Sequence, residues 1–286
     1  MKSEPRETID ESTVGFTFSA SGTRESWLEQ VVFHSRPLLR APVLVLAFSG
    51  WNDAGQAATT AVRYLAEQFN AAKLATIEPE EFYDFTVQRP LVHLTPEATR
   101  MVDWVSVECF AAPVAVSERD YVFGWGPEPH LKWKTFCATI LDLARACQAQ
   151  MVVTLGGFLA EVLYSEPVPV SGFASSAELL AQLDVGTTRY EGPTGIVGVL
   201  GDACRAAGVA HASLWAALPH YIAAVPNPRG ALALLLRLSG FLRLPLDLTG
   251  LQKAAADFEQ NVEEAVAKDA KLSAYVRELK RRQRAN

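Results

Sequence analysis

The chain has 286 residues, of which 49% are hydrophobic, and its formal net charge is -6. A chain of this length can bury a large core, and it fits one big domain or about two ordinary ones. The apolar content excludes an intrinsically disordered chain, and the acidic balance gives no reason to expect a nucleic-acid partner.

The cysteines and the chain ends exclude several further classes of protein. Cys109, Cys137, Cys147 and Cys204 form no CxxC pair, so neither a zinc site nor a redox motif is predicted. The N-terminal stretch MKSEPRETIDESTVGF lacks an apolar signal core, and no run is long enough to span a bilayer. We therefore expect a reduced, cytoplasmic protein with no metal, no cofactor and no membrane contact. The basic run RELKRRQR is interpreted as a solvated helix end.

The first half of the chain begins with residues 1–25, which are polar and are expected to be loosely ordered. PVLVLAF (42–48) predicts a buried strand, and NDAGQAATTAVRYLAEQF predicts a helix with Asn52 or Asp53 as its N-cap. KLATIE predicts a second strand. VDWVSVECF and PVAVSERDYVFGW alternate in polarity, which predicts a hairpin with one solvated face.

The second half alternates helical and extended patterns. HLKWKTFCATILDLARACQAQ predicts a helix with an apolar stripe, MVVTLGGFL a buried strand, and SSAELLAQL a short helix with a serine cap. GPTGIVGVLGDACRAAG opens a glycine-rich helix, VAHASLWAAL follows as a strand, and PNPRGALALLLRLSGFL is a helix with prolines at its start. Near-continuous apolar strands between helices predict a mostly parallel sheet covered by helices on both faces, an α/β/α sandwich spanning residues 26–246.

The last segment, 247–286, has a different pattern. Thr249 and Gln252 form a possible capping box. A heptad-like seam follows, interrupted at Asp269, and it contains Leu251, Ala255, Phe258, Val262, Ala265, Leu272, Val276 and Leu279. The seam predicts a helical appendage that packs on another helix, either of its own chain or of a partner.

The stretch FSGWNDAG (48–55) lies where the first buried strand meets a helix. The free amides of a helix start can hold an anion, but Asp53 can satisfy them as a cap, and capping is the interpretation we favour. Gly50 and Gly55 fit a tight turn, and no GK[ST] follows to make a phosphate loop. Trp51 stands at the turn without an evident local reason.

Other polar groups also stand between strands and helices. In FYDFTVQRP, Asp84 and Arg89 are expected to pair and hold a loop, with a binding surface as the alternative. Glu128, in GWGPEPHLKW, precedes a helix and either complements its dipole or acts as an acid.

The remaining candidates lie further along the chain. GPTGIVG is not a dinucleotide fingerprint, because its second glycine falls one place late. It follows Arg189, Tyr190 and Glu191 at a helix start and contains Gly192 and Gly195. His220, after a buried strand, is the one histidine in a site-like position, and no known nucleophile or metal set is present.

All of these positions are expected to meet at one edge of the sheet. In an open α/β sheet, the loops after the carboxyl ends of the strands line one crevice. The segments assigned to this rim are 50–53, 83–89, 126–130, 156–161, 190–195 and 220–221. The candidate rim or ligand-binding residues are Gly50, Trp51, Asp53, Asp84, Arg89, Glu128, Glu191, Gly192, Gly195 and His220.

Taken together and in order, FSGWNDAG, EEFYDFTVQRP, GPEPHLKW, RYEGPTGIVGVL and LPHYIAAVPNPRGALALL resemble the actinobacterial-type branch of the proteasome assembly chaperone 2 family over about residues 40–245. The resemblance implies an α/β/α core similar to nucleoside phosphorylases, often with a helical C-terminal addition. It also implies a homo-oligomer, and the C-terminal seam together with the trimeric habit of phosphorylase-like folds favours a trimer over a dimer. Proteasome subunits or another protein client are the candidate partners. The resemblance supplies no catalytic residues.

One departure concerns the C-terminus and leads to two functional hypotheses. The chain ends Gln283-Arg284-Ala285-Asn286 and lacks the hydrophobic-Tyr-X tail of many proteasome partners, which argues against docking through the tail. The first hypothesis is a non-catalytic oligomeric chaperone or scaffold. The second is a phosphorylase- or nucleosidase-like enzyme, or an anion- or nucleoside-binding protein. It would use Asp53, Glu128 or Glu191 as acid or base.

Overall fold

The computed structural model describes residues 27–188, 190–222 and 224–285. The predicted loosely ordered segment 1–25 lies outside the described residues. Eleven strands and seven α-helices are present in the described part of the chain. The strands are β1 (Val31–Phe33), β2 (Val43–Ser49), β3 (Ala72–Ile77), β4 (Leu91–Leu94), β5 (Arg100–Asp103), β6 (Val107–Ala112), β7 (Tyr121–Pro127), β8 (Met151–Ala160), β9 (Val170–Ala174), β10 (Gly186–Thr187) and β11 (His211–Pro219). The helices are α1 (Ala57–Gln68), α2 (Trp133–Ala146), α3 (Ala177–Leu183), α4 (Ile196–Ala206), α5 (Pro228–Leu242), α6 (Thr249–Lys268) and α7 (Ala270–Ala285).

Nine strands form one sheet in the order β1-β3-β6-β7-β2-β8-β11-β9-β10. The four central strands β7, β2, β8 and β11 run parallel. The pairs β1–β3, β3–β6, β6–β7 and β9–β11 are antiparallel, and β10 pairs with β9 in parallel. The predicted α/β architecture with a parallel centre is therefore confirmed. The central strands are apolar almost without interruption because helices cover both of their faces.

Two apolar cores lie on opposite faces of the sheet. One core joins the sheet to α1 and α5, with α3 and α6 beside them, and the other joins it to α2 and α4. The predicted stripe of α2 is buried through Phe136, Cys137 and Ile140, because these positions recur with the helical period. Helices on both faces of one sheet make the three-layer sandwich.

The predicted hairpin of β6 and β7 forms with antiparallel pairing, but its expected solvated face is largely absent. Strand β7 is buried except for partial exposure at Trp125 and Pro127, because it lies inside the sheet beside β2 and under α1. Val102 and Asp103, expected at the start of this hairpin, belong instead to a separate two-stranded sheet of β4 and β5. That small sheet was not predicted.

The C-terminal segment forms two helices that break at Asp269, where the backbone is extended. The predicted capping box is wrong: Thr249 lies inside α6, and Asp247 Oδ1 accepts a hydrogen bond from its amide at 3.0 Å. The seam is partly confirmed, since Leu251, Ala255, Val262 and Leu279 are buried. Val266 is buried in place of the predicted Ala265, and Phe258, Leu272 and Val276 are half-buried. Helix α6 packs on α5 of its own chain.

Three general features bear on function. No helix in the described ranges has the length and apolar character needed to cross a bilayer. Among the same residues no cluster of His, Cys, Asp and Glu is suited to a metal ion. Cys109, Cys137 and Cys204 are buried thiols whose pKa burial raises to about 12, which makes them poor nucleophiles.

Candidate functional site at the carboxyl edge of the sheet

The carboxyl ends of the four parallel strands meet at one edge of the sheet, as the sequence predicts. The segment 50–53 follows β2, Glu128 follows β7, and His220 follows β11. The chain after β2 is tied to β8, because the amide of Gly157 donates to the carbonyl of Asn52 at 2.8 Å. The site is thus formed by strand ends that parallel pairing brings side by side.

Asp53 accepts hydrogen bonds from backbone amides at the start of α1. The helix begins at Ala57 and not at residue 53. The intervening residues Ala54–Gln56 form a 3₁₀ turn, and Gly55 within it has a positive φ of 59°. Asp53 Oδ1 accepts from the amide of Ala58 at 2.7 Å, and Oδ2 accepts from Thr59 Oγ1 at 2.5 Å. Burial raises the pKa of Asp53, and the hydrogen bonds from Thr59 and Ala58 partly offset that effect.

Glu128 caps the start of another helix, α4. Its Oε1 accepts from the amide of Ile196, the first residue of α4, at 2.7 Å. The same oxygen accepts from Asn52 Nδ2 at 2.7 Å. A carboxylate at a helix start also complements the positive end of the helix dipole. The loop after β7 is thereby joined to the turn after β2 and to α4.

Asn52 is fully buried at the centre of this arrangement and was missed as a site residue. Its Oδ1 has no hydrogen-bond partner among the described residues. The oxygen lies so close to Gly195 that a β-carbon there would collide with it, which explains the glycine. The sequence signal for Asn52 is a polar residue directly after a buried strand, which fits an N-cap equally well.

The helix starts along this edge share one property. The amides at the helix starts donate hydrogen bonds to side chains of the same chain. Asp53 accepts at α1, Glu128 at α4 and Asn227 at α5. Asn227 Oδ1 accepts from the amide of Gly230 at 3.1 Å. A phosphate-binding site at a helix start needs such amides free for the anion. Two of the three positions already hold a carboxylate, which repels an anion.

The predicted pair of Asp84 and Arg89 does not form in the described structure. Asp84 Oδ1 instead accepts from the amide of Thr86 at 2.8 Å and from its hydroxyl at 2.6 Å, and these bonds lower the pKa of Asp84. An aspartate satisfies its own turn more readily than it holds an exposed arginine five residues away. The loop is anchored because the amide of Asp84 donates to His130 Nδ1 at 3.1 Å.

The other predicted site residues lie at the periphery. Glu191 and Gly192 are exposed in the loop before α4, and Arg189 lies outside the described residues. His220 binds the carbonyl of Ala160 through Nδ1 at 3.1 Å. Its Nε2 lies 3.3 Å from the hydroxyl of Tyr275 in α7, and the two rings pack edge to face. His220 therefore attaches the C-terminal helix to the edge of the sheet.

Large apolar side chains are exposed around this edge. We call them the edge surface: Trp51, Leu131, Phe158, Leu159 and Tyr190, which are 40–64% exposed. Trp51 and Phe158 adjoin the hydrogen-bonded pair Asn52 and Gly157. Exposed apolar side chains, with aromatic residues prominent, are typical of protein interaction sites. The edge surface therefore has the composition of a surface that binds another protein.

A profile of the PAC2 family matches residues 47–266, so the chain belongs to the PAC2 family. A Mycobacterium tuberculosis proteasome-assembly chaperone homologue is 40% identical, with a TM-score of 0.75, covering 82% of this chain and 99% of its own. A Streptomyces avermitilis PAC2 family protein is 39% identical, with a TM-score of 0.76, covering 82% of this chain and 99% of its own.

More distant structures share the fold alone. The Pyrococcus furiosus protein PbaB, an archaeal proteasome activator, is 18% identical with a TM-score of 0.67. It covers 82% of this chain and 97% of its own. No curated protein matches this chain. The resemblance to nucleoside phosphorylases stays a prediction.

Proposed function

We propose that this PAC2 family protein is a non-catalytic, homo-oligomeric chaperone or scaffold of the cytoplasm that binds a protein client through the edge surface. The observation that carries the proposal is the occupation of the helix starts by Asp53 and Glu128. Two of the three helix starts that could hold an anion at this edge are taken by carboxylates. The exposed apolar side chains beside them favour a protein as the ligand.

Proteasome subunits are the client class that the comparisons favour. The Mycobacterium tuberculosis relative, 40% identical, is described as a proteasome-assembly chaperone homologue. A chaperone of assembly must cover apolar surface on a partner that is not yet assembled, and aromatic side chains such as Trp51 and Phe158 suit that contact. We take proteasome α subunits of an actinobacterium as the client to test first.

The test is binding of purified α subunits to the protein and to two edge variants, Trp51→Asp and Phe158→Asp. These side chains are 60% and 40% exposed, so the variants should fold while losing at least about tenfold in affinity, the order of a hot spot's contribution. Val116→Asp is the matched control, since Val116 is 73% exposed in the turn between β6 and β7, away from the carboxyl edge. Wild-type protein without affinity, or edge variants that bind as well as the control, would refute the proposal.

The enzymatic alternative predicts a different result. A phosphorylase- or nucleosidase-like enzyme would bind phosphate or a nucleoside at the same edge, and calorimetric titration of the wild-type protein with each would detect it. The buried Oδ1 of Asn52, which has no partner among the described residues, is the feature that favours a small ligand. Against it stands the close contact of that oxygen with Gly195, which leaves no room between them.

A further inference from the structure

An open cleft of about 780 Å³ lies beside α1 and takes no part in the proposed function; we call it the α1 cleft. The register of three strands makes its floor, because Thr76 of β3 pairs with Glu108 of β6, and Glu108 pairs with Trp125 of β7. Directly opposite residues of neighbouring strands share one face of the sheet. Helix α1 and the segment 102–106 supply the walls. The volume is within the ~300–1,000 Å³ of small-molecule sites.

Two tryptophans, Trp104 and Trp125, line the α1 cleft. Trp125 is held on the floor by stacking on Phe110, with ring centroids 4.6 Å apart and an interplanar angle of 3°. Trp104 packs edge-on against Phe85 with ring centroids 4.9 Å apart, and it is still 55% exposed. An exposed indole that is fixed at its edge offers a face on which a flat aromatic ring can stack.

Much of the remaining lining is polar and has no partner in the protein. Ser49, Thr60, Gln88 and Ser106 line the α1 cleft and are partly buried. Within the described ranges, none of these four side chains makes a hydrogen bond. Polar groups that are withdrawn from solvent are normally hydrogen-bonded, so four such groups around one cleft suit a ligand with polar atoms of its own.

The charges of the α1 cleft leave one cation available. Its charged side chains are Arg63, Lys73, Asp103 and Glu108. Lys73 Nζ pairs with Glu108 Oε1 at 2.7 Å, and Asp103 Oδ2 lies 2.7 Å from His93 Nδ1. Arg63 lies over the Trp125 ring at 5.5 Å and makes no ion pair with any residue that the structure describes. A guanidinium binds carboxylate and phosphate groups through two parallel hydrogen bonds, so Arg63 favours an anionic ligand.

The carboxylate of Asp53 does not compete for this position. Arg63 acts on Asp53 electrostatically, but Asp53 is buried and does not line the α1 cleft. Its Oδ2 accepts a hydrogen bond from Thr59 Oγ1 at 2.5 Å, and its Oδ1 accepts from the amide of Ala58. The donors of the Arg63 guanidinium therefore stay free for a group in the cleft.

We propose that the α1 cleft binds a small molecule that combines a flat aromatic ring with one anionic group, a carboxylate or a phosphate. The ring stacks on Trp104, the anionic group binds Arg63, and the unpartnered hydroxyl and amide groups bind the remaining polar atoms of the ligand. The site lies on the face of the sheet beside α1 and does not use the edge surface, so it is independent of the proposed client.

Calorimetric titration with two matched pairs of probes tests the ligand class. The pairs are adenosine monophosphate with adenosine, and indole-3-acetate with indole-3-acetamide. At least one anion should bind with a Kd below about 1 mM, and its neutral counterpart should bind at least tenfold more weakly. Binding of only one of the two anions identifies phosphate or carboxylate as the group recognised. If neither anion binds, or if anion and neutral counterpart bind equally, the proposal is overturned.

Variants test the position of the site. Arg63→Gln should bind the anion at least tenfold more weakly and leave the affinity for the neutral probe unchanged, whereas Trp104→Ala should weaken both. Arg277→Gln is the matched control, since Arg277 is exposed in α7 and has no ion pair among the described residues. The edge variant Trp51→Asp should bind the anion as the wild type does. An Arg63→Gln protein with wild-type affinity, or a Trp51→Asp protein that alone loses the anion, would overturn the assignment without touching the proposed function.

Discussion

The carboxylate of Glu128 accepts hydrogen bonds from the amide of Ile196 and from the side chain of Asn52, both at 2.7 Å. One side chain thereby joins the end of β7, the turn after β2 and the start of α4. The contact fills a helix start that could otherwise hold an anion.

Replacing Glu128 should separate its acceptor role from its charge. Glu128→Ala removes the acceptor of the Ile196 amide and should lower the free energy of unfolding by about 1–2 kcal/mol. Glu128→Gln keeps an acceptor oxygen and should cost less than half of that. Urea unfolding of both variants measures the difference. Equal losses for Gln and Ala would mean that the charge, and not the hydrogen bond, stabilises the junction.

Asp53→Asn should preserve both folding and client binding, because an amide oxygen still caps α1. Asp53→Ala leaves the amide of Ala58 unpaired and should cost about 1–2 kcal/mol. Burial raises the pKa of Asp53, so its ionisation in the folded state costs stability. That cost is absent below the ordinary pKa of an aspartate and develops as pH rises through the raised pKa of Asp53 in the folded protein. The Asp53→Asn variant should lack this cost. An Asn variant that is stable but without function would favour the enzymatic alternative.

His211 should make the protein sensitive to acid. It is buried between β8 and α4, its Nε2 lies 3.1 Å from Thr154 Oγ1, and burial lowers its pKa from 6.5 to about 4. The unfolded chain binds the proton of this histidine more tightly than the folded chain does. The stability that neutral His211 gives the folded state is therefore complete above pH 6.5 and is lost as pH falls towards 4. The loss should reach about 3 kcal/mol.

Denaturant titrations across this pH range compare the wild type with His211→Gln, which cannot take up the proton. The variant should lose stability more gently between pH 6.5 and 4. His34→Gln, which replaces an exposed histidine, is the control for loss of an imidazole. If His211→Gln has the same pH dependence as the wild type, His211 is not the group responsible.

The C-terminal helices should be stabilised by their buried positions more than by the half-buried ones. Leu251→Ala should cost about 2–5 kcal/mol, because Leu251 is 5% exposed. Phe258→Ala and Leu272→Ala should cost less, since both side chains are half-buried. The exposed Ala265→Ser variant is the control. A Leu251→Ala variant with the wild-type unfolding midpoint would show that α6 does not depend on this contact.

Local patterns in the sequence were sufficient for most helices and for the central strands. Apolar runs such as 43–48, bounded by turn residues, predict buried strands, and the helical period of Phe136, Cys137 and Ile140 predicts the covered face of α2. These signals succeed because each depends on residues a few positions apart. Polar residues that directly follow the predicted strands are a local signal of the same kind, and they located the carboxyl edge.

Which residues hydrogen-bond to one another at that edge could not be predicted from the sequence. Glu128 contacts Ile196, which is 68 positions away along the chain. Asp84 accepts a hydrogen bond from Thr86 within its own turn and does not pair with Arg89. The two-stranded sheet of β4 and β5 was missed because both strands have exposed side chains on both faces and therefore no alternation of buried and exposed positions. The sequence by itself determined the layers, since hydrophobic periodicity is a local property of the chain. The tertiary structure alone decided which helix start each carboxylate caps, because hydrogen bonds join residues that only the folded chain brings within reach.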